Sequence, residues 1–342
     1  MALKIAIAGL RHGHIMQVVK LAQDTQGVEL IACGEDHEPT RTAMAEQVSI
    51  THDNVMQMID EVDCDIVAIG DYYGRRGALA ITALQRGRHV LSDKPLTTSL
   101  AELKQIADLA EASGLAVGCQ LDMPELPNFV RLRELVQGGS LGRVHQIAFG
   151  GQHPLMYGTR PGWYFEPGKH GGTINDIAVH AIHLIPWMTG VEIDRVVAAR
   201  TWNAFAEAVP HFKDSAQLML RLSDGAGVVG DVSYAMPREL GYKLAQYWRF
   251  SVYGSEGMAE TSATADHVTL VRHDDDKPQL LEGLAPKQPS YFESFLSEVR
   301  GEKDQAAITT ADVLRTSAKA LQIQAFADEQ GDSAGQALGW PM

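Results

Sequence analysis

The chain has 342 residues with 45% hydrophobic and 21% charged content, enough for two domains with sizeable cores and outside the range of disordered chains. Its 43 acidic against 29 basic side chains leave a net charge of −14, which excludes a broad nucleic-acid surface, since that needs concentrated lysine and arginine. Cys33, Cys64 and Cys119 lack the spacing of a disulfide framework, and no apolar run approaches the roughly 20 residues of a membrane span, so a cytoplasmic chain with reduced thiols is expected.

The first 120 residues alternate between short apolar runs and helical stretches. A buried strand is predicted over 3–8, ending at Gly9, then a helix over 15–23 and a strand over 28–33. A helix over 40–47 and an apolar strand over 64–69 follow. The helix over 78–86 stops at Gly87 and the one over 100–112 at Gly114, each a C-terminal cap; strands at 89–91 and 115–119 complete the set. Continuous apolar strands separated by helices predict a doubly wound parallel sheet with both faces covered, a Rossmann-type α/β domain over 1–121.

Beyond residue 121 the pattern changes. A helix is predicted over 128–137 and a loosely alternating strand over 144–149. A Gly- and Pro-rich loop over 150–172 carries Arg160, Trp163 and Tyr164, and long loops of this kind are usually functional. A helix over 174–188 and strands at 196–201, 217–222, 227–234, 248–253 and 267–271 predict an α+β domain over 122–342, built on a mostly antiparallel open sheet. Helices at 291–300 and 310–328 close the chain, the last of them expected to pack back on the first domain.

The chemistry begins at Gly9-Leu10-Arg11-His12-Gly13-His14, where the first strand passes into the first helix. A dinucleotide fingerprint uses glycine for the tight turn, for close approach to pyrophosphate and for helix–strand packing. Here Arg11 and His14 stand where the second and third glycines belong, so the fingerprint is degraded. Helix N-terminal amides attract phosphate, and Arg11, His12 and His14 add donors at the same point, so an anionic cofactor is compatible with the acidic whole. The second strand ends in Glu35 and Asp36. A carboxylate there accepts ribose hydroxyls and repels a 2′-phosphate, which favours NAD over NADP.

Val90-Leu91-Ser92-Asp93-Lys94-Pro95-Leu96 resembles the Glu-Lys-Pro motif of the glucose–fructose oxidoreductase and inositol dehydrogenase family, with Asp93 in the Glu place. A second family signature looks similar at 171–180, where Asp176 and His180 fall on the family's acid and histidine. Leu141-Gly142-Arg143-Val144 and Tyr253-Gly254-Ser255-Glu256-Gly257 extend the resemblance over essentially the whole chain. It implies an NAD-dependent oxidoreductase acting on a secondary hydroxyl of a sugar, polyol or related hydroxy acid. Lys94 would bind the cofactor and orient the hydroxyl, His180 would be the general base, and Asp176 would position substrate or tune the histidine. The physical chemistry agrees, because a histidine titrating near neutrality suits proton transfer and an adjacent cation stabilises developing alkoxide charge. A lyase or glycosidase that recycles bound NAD, and a non-catalytic dinucleotide sensor, are the alternatives.

Three positions depart from the family pattern. The turn after the third strand reads Gly70-Asp71-Tyr72-Tyr73-Gly74-Arg75-Arg76, and Asp71 and Tyr72 are expected to line the cofactor. Ala178 replaces a usual glycine. His183 occupies a place that is often Asp and creates the set Asp176, His180 and His183 at helical spacing; two histidines and a carboxylate can hold a metal, but the Lys94 charge argues against one, and His183 is read as substrate-binding. Arg160, Trp163 and Tyr164 are expected to line the substrate pocket. The partners expected are a small-molecule substrate and further copies of the chain in a dimer or tetramer.

Overall fold

The computed structural model describes residues 2–330. The described chain divides into two compact units, one comprising residues 2–126, 158–171 and 285–321 and the other 127–157, 172–284 and 322–330. Among the described residues no helix is long and apolar enough to cross a membrane.

The first unit opens with β1 (Leu3–Ala8), α1 (Ile15–Asp24), β2 (Val28–Gly34), α2 (Glu38–Met44) and α3 (Val55–Glu61). It continues through β3 (Ile66–Ile69), α4 (Tyr73–Gln85), β4 (His89–Ser92), α5 (Leu100–Ser113) and β5 (Val117–Cys119). The sheet runs β2-β1-β3-β4-β5 with every pair parallel. A single parallel bridge, Gly34 to His52, adds a vestigial strand outside β2. The winding direction therefore reverses between β1 and β3, and the crevice outside the carboxyl ends of those strands is where an open α/β sheet receives its ligand. Ile5, Ile7 and all four residues of β3 are buried, as a sheet covered on both faces requires. Full burial of each such aliphatic side chain contributes about 1.5–3 kcal/mol. Ser99 caps α5 by accepting from the Glu102 amide, and Gly114 closes it with φ +70°.

The second unit begins with α6 (Pro127–Gln137) and β6 (Val144–Pro154). A π-helical turn, Ile174–Ala178, runs directly into α7 (Val179–Thr189). Seven strands follow: β7 (Ile193–Trp202), β8 (Ser215–Leu222), β9 (Gly227–Met236), β10 (Arg249–Gly254), β11 (Gly257–Thr261), β12 (Val268–Arg272) and β13 (Gln279–Leu281). They form an eight-stranded sheet, β13-β12-β11-β10-β6-β9-β8-β7, antiparallel except for β6 against β9. β6 continues five residues into the segment read from sequence as loop, because Gly150, Gly151 and Gln152 pair with Asp231, Val232 and Ser233. Gly151 is required there, since a Cβ would come within 2.6 Å of the Trp248 ring.

Two helices end the described chain, α8 (Tyr291–Val299) and α9 (Thr310–Gln330). α8 carries a complete capping box between Ser290 and Glu293 and belongs to the first unit. Phe295 of α8 lies where a side chain on Gly118 of β5 would be. The Val117 amide, at the sheet edge, donates to Thr310 Oγ1 at 2.9 Å, so the edge is covered.

Candidate active site

Gly9 begins the turn after β1 with φ +83°, and a Cβ there would lie 2.7 Å from that of Asp71, so both backbone and space demand glycine. Gly13 differs: a Cβ on it would meet nothing within 4 Å, leaving the backbone open to an approaching ligand. The packing role of the third fingerprint glycine falls instead to Gly70, which faces Ile15 of α1 and lies against the Gly9 carbonyl. His14 stands at the N-cap of α1 without capping it through its side chain, and the first turn holds no acid. The first amides of α1, those of Ile15, Met16 and Gln17, turn back to the carbonyls of His12, Gly13 and His14, while an open Gly13 and neighbouring Arg11 and His14 at the positive end of the helix fit a pyrophosphate.

Glu35, 1% exposed just beyond β2, accepts from the Leu10 amide at 2.6 Å and from the His37 amide at 2.8 Å. Burial pushes its carboxyl up, against the pull of these two amides. Asp71 is equally buried and its carboxyl is pushed up by burial, opposed first by Arg75. Arg11 and Lys169 lie over the Tyr72 ring at 5.7 and 5.1 Å.

Lys94 is 4% exposed between Asp93 and a cis-linked Pro95, just past β4. Asp93 and Arg76 are wholly buried, and sequence reasoning missed the arginine. Arg76 Nη2 donates to Asp93 Oδ2 at 2.9 Å, Nη1 to the carbonyls of Asp93 and Pro95, and Nε to the Asp71 carbonyl at 2.8 Å. One guanidinium thus joins the turn after β3 to the Asp-Lys-Pro segment. Asp93 also pairs with His12 Nδ1. Burial alone would raise the Asp93 carboxyl, but the charges of His12 and Arg76 outweigh it and hold the group below the usual carboxylate range. Burial lowers His12 to about 4 against the opposing pull of Asp93, so its imidazole is neutral at neutral pH.

A neutral His12 that donates from Nδ1 to an ionised Asp93 must accept at Nε2. Tyr73 Oη stands 3.2 Å from that nitrogen and therefore donates to it, which leaves Tyr164 Oη, 2.8 Å from Tyr73 Oη, as donor to Tyr73. The loop over 158–171 is seated on the first unit by this chain and by Trp163 Nε1, which donates to the Arg11 carbonyl at 3.1 Å. Trp163 and Tyr164 are 1% and 2% exposed, stacked on each other at 4.1 Å beside Tyr73, so both rings seat the loop; Arg160 lies over the Tyr164 ring. His12, His14 and Asp93 also bring ligand-type atoms within 4.8 Å of one another. Arg76 already neutralises that carboxylate, and a second cation would be repelled by it.

In the second unit Asp176 falls on the π-helical turn and His180 and His183 on α7, all three buried. π-Helical turns recur at functional sites. Gln324 Oε1 accepts from the amides of Ile174 and Asn175 and so fixes the start of this turn. Tyr234 of β9, also missed from sequence, donates its hydroxyl to Asp176 Oδ2. The His180 ring meets Trp248, itself 3% exposed with φ +56°, at 5.6 Å. A non-glycine residue held at positive φ against a candidate base is the kind of strain that surrounding structure must maintain.

Residues 3–121 match the profile of the oxidoreductase family with an NAD-binding Rossmann fold, GFO/IDH/MocA, and residues 129–260 match that family's C-terminal domain. The chain belongs to the GFO/IDH/MocA family. It is therefore an oxidoreductase built around a nicotinamide dinucleotide site. Among its relatives, the rhizopine catabolism protein MocA of Rhizobium meliloti is 24% identical over 249 residues, covering 72% of this chain and 75% of the relative. The myo-inositol dehydrogenase Hyg17 of Streptomyces leeuwenhoekii is 24% identical over 287 residues, 82% of this chain and 80% of its own. A solved putative oxidoreductase from Erwinia carotovora atroseptica SCRI1043 superposes with a TM-score of 0.81 at 25% identity, over 95% of this chain and 98% of that one.

Proposed function

We propose that this family member is an NAD-dependent dehydrogenase that oxidises a secondary hydroxyl of a sugar, polyol or related hydroxy acid. The observation that carries the reading is Lys94, a buried lysine whose flanking carbonyls, those of Asp93 and Pro95, are both bonded by the buried Arg76, in the unit that also presents the dinucleotide turn. The bound nicotinamide supplies the hydride acceptor. Lys94 binds the cofactor and orients the reacting hydroxyl, its ammonium stabilising alkoxide character at that oxygen. His180 takes the hydroxyl proton, and Asp176, fixed by the Tyr234 hydroxyl, positions substrate or tunes the histidine.

Arg11, Gly13 and His14 hold the dinucleotide phosphates at the turn that Gly9 makes, with Asp71 and Tyr72 beside them; His12, whose amide and both ring nitrogens are engaged, supports that turn from within, and Glu35 accepts from the adenosine ribose and selects NAD. Arg160 and His183 grip substrate hydroxyls, with Trp163 and Tyr164 shaping the loop. The relatives named as inositol, D-xylose and levoglucosan dehydrogenases support a polyol or sugar as the substrate class. Val197, Met219 and Val229, exposed on β7, β8 and β9, support assembly into a homo-oligomer.

The test is a dehydrogenase screen of sugars, polyols and sugar acids with NAD and NADP in parallel. On the substrate it finds, Lys94→Ala is expected to lower kcat by about a hundred-fold or more while NADH still binds. Full turnover by that variant would remove the role given to Lys94.

A further inference from the structure

The carboxyl end of β2 is where a Rossmann unit receives the adenosine ribose, and a 2′-phosphate there is accommodated by a nearby arginine. Three arginines act at this point: Arg11 lies over the Tyr72 ring and its charge reaches Glu35 and Asp71, while Arg41 and Arg75 are engaged by oxygens. Arg41 Nη1 donates to the carbonyls of Glu35 and Asp36, at 3.0 and 2.9 Å. Arg75, on α4, is bridged between two carboxylates: Nη2 lies 2.5 Å from Asp36 Oδ2 and Nη1 lies 2.8 Å from Asp71 Oδ2.

Asp36 is itself held at both oxygens. Its Oδ1 accepts from the Val55 amide at 2.5 Å, at the first turn of α3, while Oδ2 takes Arg75. Asp71 is anchored in the same way, with Oδ1 accepting from the Tyr72 amide and the residue packed against Gly9. The guanidinium therefore has a carboxylate on each side, and Glu35 adds a third within the same turn region. An incoming phosphate would have to displace a short, charge-assisted pair and sit among carboxylates.

We infer that Asp36 is a specificity-determining residue: by engaging Arg75 it withholds that guanidinium from a 2′-phosphate, so that selection of NAD over NADP rests on the Asp36–Arg75 pair as well as on Glu35. The inference rests on the reading above that the dinucleotide's adenosine ribose is received at Glu35. Releasing Asp36 frees one arm of Arg75 while Asp71 keeps the guanidinium in place.

The experiment titrates the full chain with NADH and with NADPH, read by nicotinamide fluorescence, so no substrate is needed. Asp36→Asn keeps an acceptor for the Val55 amide but replaces the oxygen that holds Arg75. It is expected to tighten NADPH by about ten- to a hundred-fold, the value of a hydrogen-bonded charge, with NADH changed by less than about three-fold. The gain should vanish in Asp36→Asn/Arg75→Ala. Unchanged NADH binding certifies the fold of each variant, and Asp36→Ala, which removes both acceptors, is the second route to the same release. A wild-type preference for NADH that neither Asp36 variant alters overturns the inference alone, as does an NADPH gain that survives removal of Arg75. Equal binding of NADH and NADPH by the wild type overturns the NAD reading together with the inference.

Discussion

Replacing Asp93 by Asn isolates the ion pair formed next to Lys94 in the chain. The substitution keeps size and shape but removes the carboxylate bonded to Arg76, whose side chain is wholly buried. Arg76 would keep its bonds to the carbonyls of Asp71, Asp93 and Pro95, so its donors stay largely satisfied while its charge loses compensation. His12 Nδ1 and Arg76 Nη2 both meet Oδ2, so an Asn oxygen in that place still accepts from them and the substitution removes the charge alone. Breaking a buried pair by removing one partner costs about 3–5 kcal/mol. At about 2–4 °C per kcal/mol for a unit of this size, thermal unfolding should begin roughly 6–20 °C lower. Differential scanning calorimetry of the full chain measures the shift. Asp93→Asn/Arg76→Met removes both charges and should recover at least half the loss, because the cost lies in the unpaired cation. A shift under about 2 °C for Asp93→Asn, or a double variant as unstable as the sum of both singles, would refute the argument that this pair is desolvated and coupled.

Two further outcomes follow from neighbouring groups. His12 falls from an ordinary value of 6.5 to about 4 on folding, so as pH drops the unfolded chain takes the proton first; stability is full above about pH 6.5, is lost down to about pH 4 and is level below, for a total of about 3 kcal/mol. Asp93, held below the usual carboxylate range by His12 and Arg76, adds a loss at still lower pH, so urea unfolding across pH should flatten between 6.5 and 4.5 in His12→Gln, with the lower limb reduced to the part that Arg76 supplies. Gly9→Ala should destabilise the first unit by about 1–3 kcal/mol through its positive φ, whereas Gly13→Ala should leave the melting temperature in place and weaken NADH binding, since its Cβ enters open space; equal melting losses in the two variants would contradict this division.

Much of the first unit was legible because it is local. β1 was placed from an apolar run ended by a glycine, and the caps at Gly87 and Gly114 are single residues with positive φ. Arg76 was not, although a signal existed. Besides Leu79, the buried residues of α4 are Tyr73, Arg76, Gly77, Ala80, Ala83 and Leu84, a helical stripe in which an arginine occupies a core position. Beginning that helix at Ala78, after a turn-like Gly70–Gly74, left Arg76 outside the stripe. Tyr234 lay beyond reach for a different reason: its partner Asp176 is 58 residues away, and nothing local to β9 marks it. β11 and β13 are short strands of five and three residues whose periodicity is too brief to stand out.

The degraded fingerprint shows why a string of letters is a weaker guide than the tasks the letters perform. Three tasks need a missing Cβ or an open backbone: the tight turn, the approach of pyrophosphate and the packing of helix on strand. Here Gly9 makes the turn and Gly13 leaves the approach open, while the packing task has moved to Gly70 at the end of β3, against Ile15. With that task met from another strand, position 14 can carry a histidine at the helix N-cap and position 11 an arginine whose carbonyl receives Trp163. The turn thereby acquires a guanidinium and an imidazole that glycines could not provide, while the hydrogen bond from the loop over 158–171 uses the main-chain carbonyl of residue 11. A sequence search that asked which residues satisfy each task, wherever they lie in the chain, would have paired Gly70 with Gly9 and read the arginine and histidines as additions to a working fingerprint.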